Sequence, residues 1–132
     1  MASIYMSYLM RDEPVIVKGS LDRFRDFIYV DDVVDVLLMS ERYEQTYGEV
    51  FNVGTGKATT VRELLEAMLQ AFGKEEFARW VIVEGSTPGD IMGFTADIAK
   101  LKGALDWEPG YDVGRGIAQM KGWIDRTRDY WR

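Results

Sequence analysis

The 132-residue sequence contains no cysteine and no histidine. Without a thiol there is no disulfide framework, no thiolate nucleophile and no zinc–thiolate site. Without an imidazole the commonest general base is missing, together with the serine–histidine relay and the usual nitrogen ligands of metals. Long apolar runs are absent too: none approaches the ~20 residues of a membrane-spanning helix, and no basic region followed by an apolar stretch opens the chain. Basic charge is in deficit, with 16 Lys and Arg against 22 Asp and Glu and a net charge of −6. A general nucleic-acid binder would carry a basic patch, so neither nucleic acid nor membrane is expected as a partner, and a cytoplasmic location is expected. The charge balance leaves room for a local anion site.

What is present argues for a folded globule. The apolar fraction is 47%, with four Trp and six Phe, enough to build a core in a chain of one domain's length. Ile4, Tyr5, Tyr8 and Leu9 recur at helical spacing, and the pattern stops before Pro14. "PVIVKG" reads as a strand closed by Gly19, and "RDFIYV", residues 25–30, as a second. Asp31 or Asp32 is placed to cap a helix whose Val33, Val34, Leu37, Leu38 and Met39 would form a wide buried stripe. "GEVFNVGTG" suggests a third strand running into a glycine turn. Thr60 and Glu63 then make a T-x-x-E capping box, and Val61, Leu64, Leu65, Met68, Leu69 and Phe72 mark one face of a helix ending at Gly73.

Further on, "ARWVIVEG" reads as a fourth strand and "STPGD" as a turn. An extended piece near Phe94 leads to a short helix over 97–105 and the loop "DWEPG". The last helix places Val113, Ile117, Met120, Ile124 and Trp131 on one face. Strands alternate with helices throughout and no repeat or linker interrupts them. The expected class is therefore α/β, with an α+β-like character, in a single compact domain over 1–132.

Two phosphate-loop readings of "NVGTGKATT" fail on spacing. A P-loop needs glycine where Phe51 stands and Ser or Thr where Ala58 stands; a dinucleotide fingerprint needs a third glycine where Thr59 stands. A tight turn feeding a capped helix accounts for the segment. The acidic residues have no metal-loop spacing, so no metal site is expected, and most of them read as solvated faces or helix-start charges.

Four blocks, "PVIVKGSLDRFRDFIYVDDVVDVLL", "GEVFNVGTGKATTVRELLEAM", "STPGDIMGFTADIAKLKGALDWEP" and the final amphipathic helix, together resemble the C-terminal substrate-binding part of the extended short-chain dehydrogenases/reductases, the NAD-dependent nucleotide-sugar epimerases and dehydratases. In that family a separate N-terminal Rossmann half carries a G-x-x-G-x-x-G loop for NAD(P) and a Tyr-x-x-x-Lys pair. Neither pattern occurs in this sequence. The resemblance therefore implies no catalytic residue and no cofactor site within the chain, with NAD(P) expected for the full-length family member. A truncated or naturally split protein is expected, with no chemistry unless a Rossmann half, as one option from a separate polypeptide, is supplied.

The resemblance also assigns substrate-binding positions for a nucleotide-diphosphate sugar. Arg25 corresponds to the arginine on the diphosphate, a role suited to a planar, permanently charged guanidinium. Ile16 and Lys18 fall where the base is packed or hydrogen-bonded, Val61 at an apolar contact to the nucleoside, and Asp90 at a carboxylate for the ribose hydroxyls. Phe94 falls at an aromatic position near the diphosphate, and Thr87 where many members carry a second clamping arginine. Arg23 can replace that charge if the strand already extends to it.

The residues alone admit other roles. Arg25 can pair with Asp26, Asp31 or Asp32, Val61 can be a core residue of the helix, and Asp90 can bond its own turn. An assembly role is the alternative to nucleotide-sugar binding. The stripes beginning at Ile4 and Val33 and the edge of "VFNV" would lie against neighbouring structure in a full-length member, so exposure here predicts a homo-oligomer.

Overall fold

The computed structural model describes residues 1–85, 89 and 91–127. Helix α1 (Ala2–Met10) leads through a turn at Asp12 into β1 (Val15–Lys18), and β2 (Phe24–Arg25) follows. After α2 (Val30–Ser40) and a single 3-10 turn, a long irregular segment reaches β3 (Thr59–Thr60) and α3 (Val61–Ala71). A one-turn helix α4 (Phe77–Trp80) feeds β4 (Val81–Glu84), and α5 (Ala99–Leu105) and α6 (Val113–Thr127) complete the order. Among the described residues no helix is long and apolar enough to cross a membrane.

The strands form two separate pairs. β1 runs parallel to β4, with Val15 opposite Val81 and Lys18 opposite Glu84; β2 runs antiparallel to β3, with Phe24 opposite Thr60 and Arg25 opposite Thr59. Strand alternation sets what β1 buries: Val15 and Val17 enter the core while Ile16 and Lys18 face out. The core forms where α1, α3 and α6 close over β1, with Met6, Leu9, Leu64, Leu65, Met68, Ile117 and Ile124 all buried. A smaller cluster of Val36, Leu101, Leu105 and Trp107 joins α2 to α5.

Helix α3 is the element that local sequence specifies most completely. Thr60 accepts the Glu63 N–H at 3.1 Å and the Glu63 carboxylate accepts the Thr60 N–H at 2.7 Å, so the capping box closes both ways. The expected face is buried from Val61 to Leu69, with Phe72 packed at its edge. Gly73, just beyond the helix, takes φ 61°, a conformation available to glycine without steric cost.

Other expectations are corrected. The strand expected over 25–30 stops at Arg25, because Asp26 turns its carboxylate into the loop at 54–56 and the chain leaves the ladder there. The N-cap of α2 is Tyr29, with no side-chain bond; Asp31 and Asp32 lie inside the first turn. Asp32 is buried and accepts N–H bonds from Gly110 (2.9 Å) and Tyr111 (3.2 Å), fastening α2 to the loop before α6. The stripe on α2 is buried only in part: Val34 is 43% exposed, Leu37 63% and Leu38 52%, Val33 is half-buried, and Met39 packs beside Val36 in the smaller cluster. "GEVFNV" forms no strand, since no partner strand lies beside it among the described residues. The strand expected from Ala78 begins at Val81, after α4. Residues 86–88 and 90 of "STPGD", and Trp131, lie outside the described residues.

Asp26 ties three segments together. Its carboxylate accepts the Thr55 N–H (2.8 Å) and hydroxyl, the Gly56 N–H (2.9 Å) and the Ala96 N–H (3.2 Å). Gly54 is required beside it, since a Cβ there would stand 2.7 Å from Asp26 Oδ2 and 2.8 Å from the Ala96 Cβ. Partial burial opposes the charge on Asp26, but the bonds from Thr55, Ala96 and Gly56 outweigh it and hold the carboxyl below its ordinary pKa. The Thr60 N–H and hydroxyl lower Glu63 in the same direction.

A carboxyl lowered in the folded state stabilises fully above its unfolded pKa, and that stability is lost as pH falls through the folded value. The urea midpoint is therefore expected to fall as the solution is acidified below about pH 4. Asp26→Asn should cost about 2 to 3 kcal/mol near neutrality and flatten this pH dependence, leaving the Glu63 part. Equal pH dependence in the wild type and Asp26→Asn would show that the charge of Asp26 contributes nothing.

Candidate functional site

Arg25 ends β2 at the point where the chain turns away, so its side chain leaves the ladder beside residues 91–94. Nη1 donates to the Phe24 carbonyl at 2.7 Å and reaches the carbonyls of Ile91 at 3.3 Å and Met92 at 3.4 Å. The guanidinium carbon stands 5.7 Å from the centre of the Phe94 ring, within range of a cation–π contact. Carbonyl acceptors on one side and an aromatic face on the other orient the planar fork, which reduces the entropy lost when it binds an anion.

Residues 91–94 are held in place from β2. The Phe24 N–H donates to the Met92 carbonyl at 3.0 Å, and Phe24 bridges to Gly93. A Cβ on Gly93 would lie 2.5 Å from the Phe24 ring, so glycine alone permits this approach. Phe94 projects from the anchored segment with more than half of its surface exposed. Arg25 and Phe94, distant in the chain, are thus brought together as one feature.

The remaining assigned positions that the structure describes lie on other elements. Ile16 and Lys18 share the exposed face of the β1–β4 pair with Ile82 and Glu84. The Val61 side chain is 1% exposed within the core, and its N–H donates to the Arg23 carbonyl at 2.8 Å. Thr87 and Asp90 lie outside the described residues. Arg23 does not extend the strand towards Arg25. Its guanidinium folds back over Gly19 and donates to the carbonyls of Ser20 (3.1 Å) and Lys18. Of the carboxylates considered as partners for Arg25, Asp26 accepts from Thr55, Gly56 and Ala96, and Asp32 accepts from Gly110 and Tyr111.

The residue that sequence reasoning passed over is Asp26. A signal existed: a Gly-Thr-Gly turn directs successive N–H groups into one concavity, and such a turn requires an acceptor. That acceptor is an internal carboxylate, so the turn does not fit a dinucleotide phosphate: the N–H groups of Thr55 and Gly56 are already used, and Asp26 fills the space beside Gly54. Among the described residues no cluster of acidic side chains is arranged to hold a metal ion.

Comparison with known proteins gives this geometry a context. Residues 2–120 match the family model described as GDP-mannose 4,6 dehydratase. A candidate UDP-glucose 4-epimerase of Methanocaldococcus jannaschii is 30% identical over 122 residues, covering 92% of this chain and 38% of that protein. The dTDP-4-dehydro-6-deoxyglucose reductase of Escherichia coli is 26% identical over 117 residues, covering 89% of this chain and 36% of the enzyme. The crystal structure of UDP-glucose 4-epimerase from Thermotoga maritima, with UDP-glucose, superposes with a TM-score of 0.84 at 29% identity, over 96% of this chain and 40% of that one. The chain thus spans about two fifths of the length of these relatives, and its fold is the C-terminal part of theirs. With the family model matched over nine tenths of its length, the chain belongs to the GDP-mannose 4,6 dehydratase family, within the NAD-dependent extended short-chain dehydrogenases/reductases.

Proposed function

We propose that this chain is the nucleotide-sugar-binding portion of a sugar epimerase or dehydratase and that it does not catalyse the reaction alone. The observation that carries the reading is the placement of Arg25, set between backbone carbonyls and the exposed Phe94 ring. A guanidinium so oriented suits a diphosphate, with paired N–H bonds to its oxygens. Phe94 supports the clamp by stacking. By the family correspondence Lys18 and Ile16 serve the base, Asp90 the ribose hydroxyls and Val61 an apolar contact to the nucleoside, with Thr87 standing where many members carry a second clamping arginine. Neither a G-x-x-G-x-x-G loop nor a Tyr-x-x-x-Lys pair occurs in the chain, so hydride transfer would depend on a nucleotide-binding half supplied separately.

A second reading concerns assembly, and a specific observation favours it. The α2 stripe of Val30, Val34, Leu37 and Leu38 faces solvent, and Val50, in the segment that forms no strand, is 83% exposed. An apolar helix face beside an unpaired extended segment is a surface that associates. In this reading the stripe is covered by a second copy of the chain or by the Rossmann half.

Isothermal titration with UDP-glucose, dTDP-glucose and GDP-mannose is expected to show saturable binding of at least one. Arg25→Ala should weaken it at least about tenfold, equivalent to about 1.4 kcal/mol, and Arg25→Lys should recover only part, since the charge returns without the fork. Absence of heat with all three sugars would sink the binding reading.

Gly93→Ala tests the support beneath the clamp. The added methyl must displace the Phe24 ring or residues 91–94. Weaker binding is expected together with a lowered thermal midpoint, while Phe94→Ala, which introduces no clash, should weaken binding with the midpoint little changed; unchanged binding in both would separate Phe94 from the site.

Light scattering over a concentration series should show association of the wild type and its loss in Leu37→Glu. A wild type that stays monomeric throughout would remove self-association through α2.

A further inference from the structure

A groove of about 370 Å³ opens between the turn before β3 and the start of α6, and Arg25 does not line it. Lys57 and Thr59 stand on one wall, Tyr111 and Arg115 on the other, and Phe27 lies between them. From these residues we propose a second anion site, separate from the Arg25 clamp, that takes the phosphate group of a small phosphorylated molecule.

Part of the basic charge of this acidic chain is taken up in ion pairs. Lys74 pairs with Asp12, Lys100 with Glu49, Lys102 with Glu108 and Lys121 with Asp125. Among the described residues neither Lys57 nor Arg115 has a carboxylate partner. Arg115 is nonetheless held in place: Nη1 donates to the Gly110 carbonyl at 2.6 Å, and the guanidinium carbon lies 4.9 Å from the centre of the Tyr111 ring. One pinned guanidinium and one ammonium in the same groove provide a directional and a point-charge contact to the same anion.

The carboxylate lining the groove, Asp112, has Oδ1 engaged with the Arg115 N–H at 2.8 Å, capping α6. The lining thus carries two cationic side chains, Lys57 and Arg115, against the one carboxylate of Asp112, while the Asp26 and Asp32 carboxylates behind it are engaged by the N–H groups of Thr55, Gly110 and Tyr111. Its volume exceeds that of a bare phosphate, and the Tyr111 and Phe27 rings provide apolar surface for the group that carries it.

The test is an NMR titration of the labelled chain with inorganic phosphate and, separately, with phenyl phosphate. Saturable shifts are expected at the amides of Lys57, Ala58, Gly110 and Arg115, with phenyl phosphate binding more tightly than phosphate. Lys57→Ala and Arg115→Ala should each weaken binding about tenfold, and Arg25→Ala should leave it unchanged. No saturable shift at these amides, or equal affinity in the wild type and both groove variants, would overturn the site. Loss of binding in Arg25→Ala alone would place the anion at the clamp and equally overturn it.

Discussion

The arrangement of this domain depends on one convergence: the N–H groups of Thr55, Gly56 and Ala96 meet at a half-buried point and share one acceptor. Asp26 satisfies them with a single carboxylate. Because these donors come from segments far apart in sequence, the contact fixes where the 54–56 turn and the 96 region sit relative to β2. Chain direction follows from the same contact. The ladder between β2 and β3 cannot continue past Arg25, so the chain bends there and α2 begins at Val30. Arg25 stands at that bend, and its exposure to the 91–94 segment follows from its neighbour's burial.

The division of roles within "RFRDFIYVDD" follows from this. Arg23 stabilises the loop after β1, Arg25 is turned towards Phe94, Asp26 organises the interior, and Asp32 fastens α2 to the loop before α6. Charges that adjoin in sequence thus serve four different places. Two of the aspartates act as acceptors for backbone N–H groups across the fold, a role that satisfies buried donors at a lower desolvation cost than an isolated charge would incur.

Legibility from sequence tracked how local each determinant was. α3 was readable because its cap, its apolar face and its terminal glycine all lie within about a dozen residues, and β1 because a short β-branched run between Pro14 and Gly19 needs no distant information. The resemblance to the extended dehydrogenase/reductase family was readable from four motif blocks, and the family match bears it out. The α2 stripe and "VFNV" misled for a shared reason. Periodicity reports that a face is apolar, but burial requires a partner: Met39, Phe51 and Val53 find one in the smaller cluster, whereas Val34, Leu37, Leu38 and Val50 stay exposed. Asp26 and Asp32 were hidden for the opposite reason: their partners lie 29 to 79 residues away, and nothing local marks an acceptor for a distant N–H.

The clamp and the apolar α2 face pose different physical requirements. Arg25 and Phe94 are positioned by contacts within the chain, through Phe24, Gly93 and Asp26, so their geometry does not wait on another domain. The exposed stripe of α2 lacks any such internal support. Orienting Arg25 and covering the apolar face are therefore separable: the first rests on hydrogen bonds already in place, the second on surface that only association removes from water. In the proposed reading the diphosphate contact therefore depends on groups already oriented within this chain, whereas the α2 face depends on what covers it.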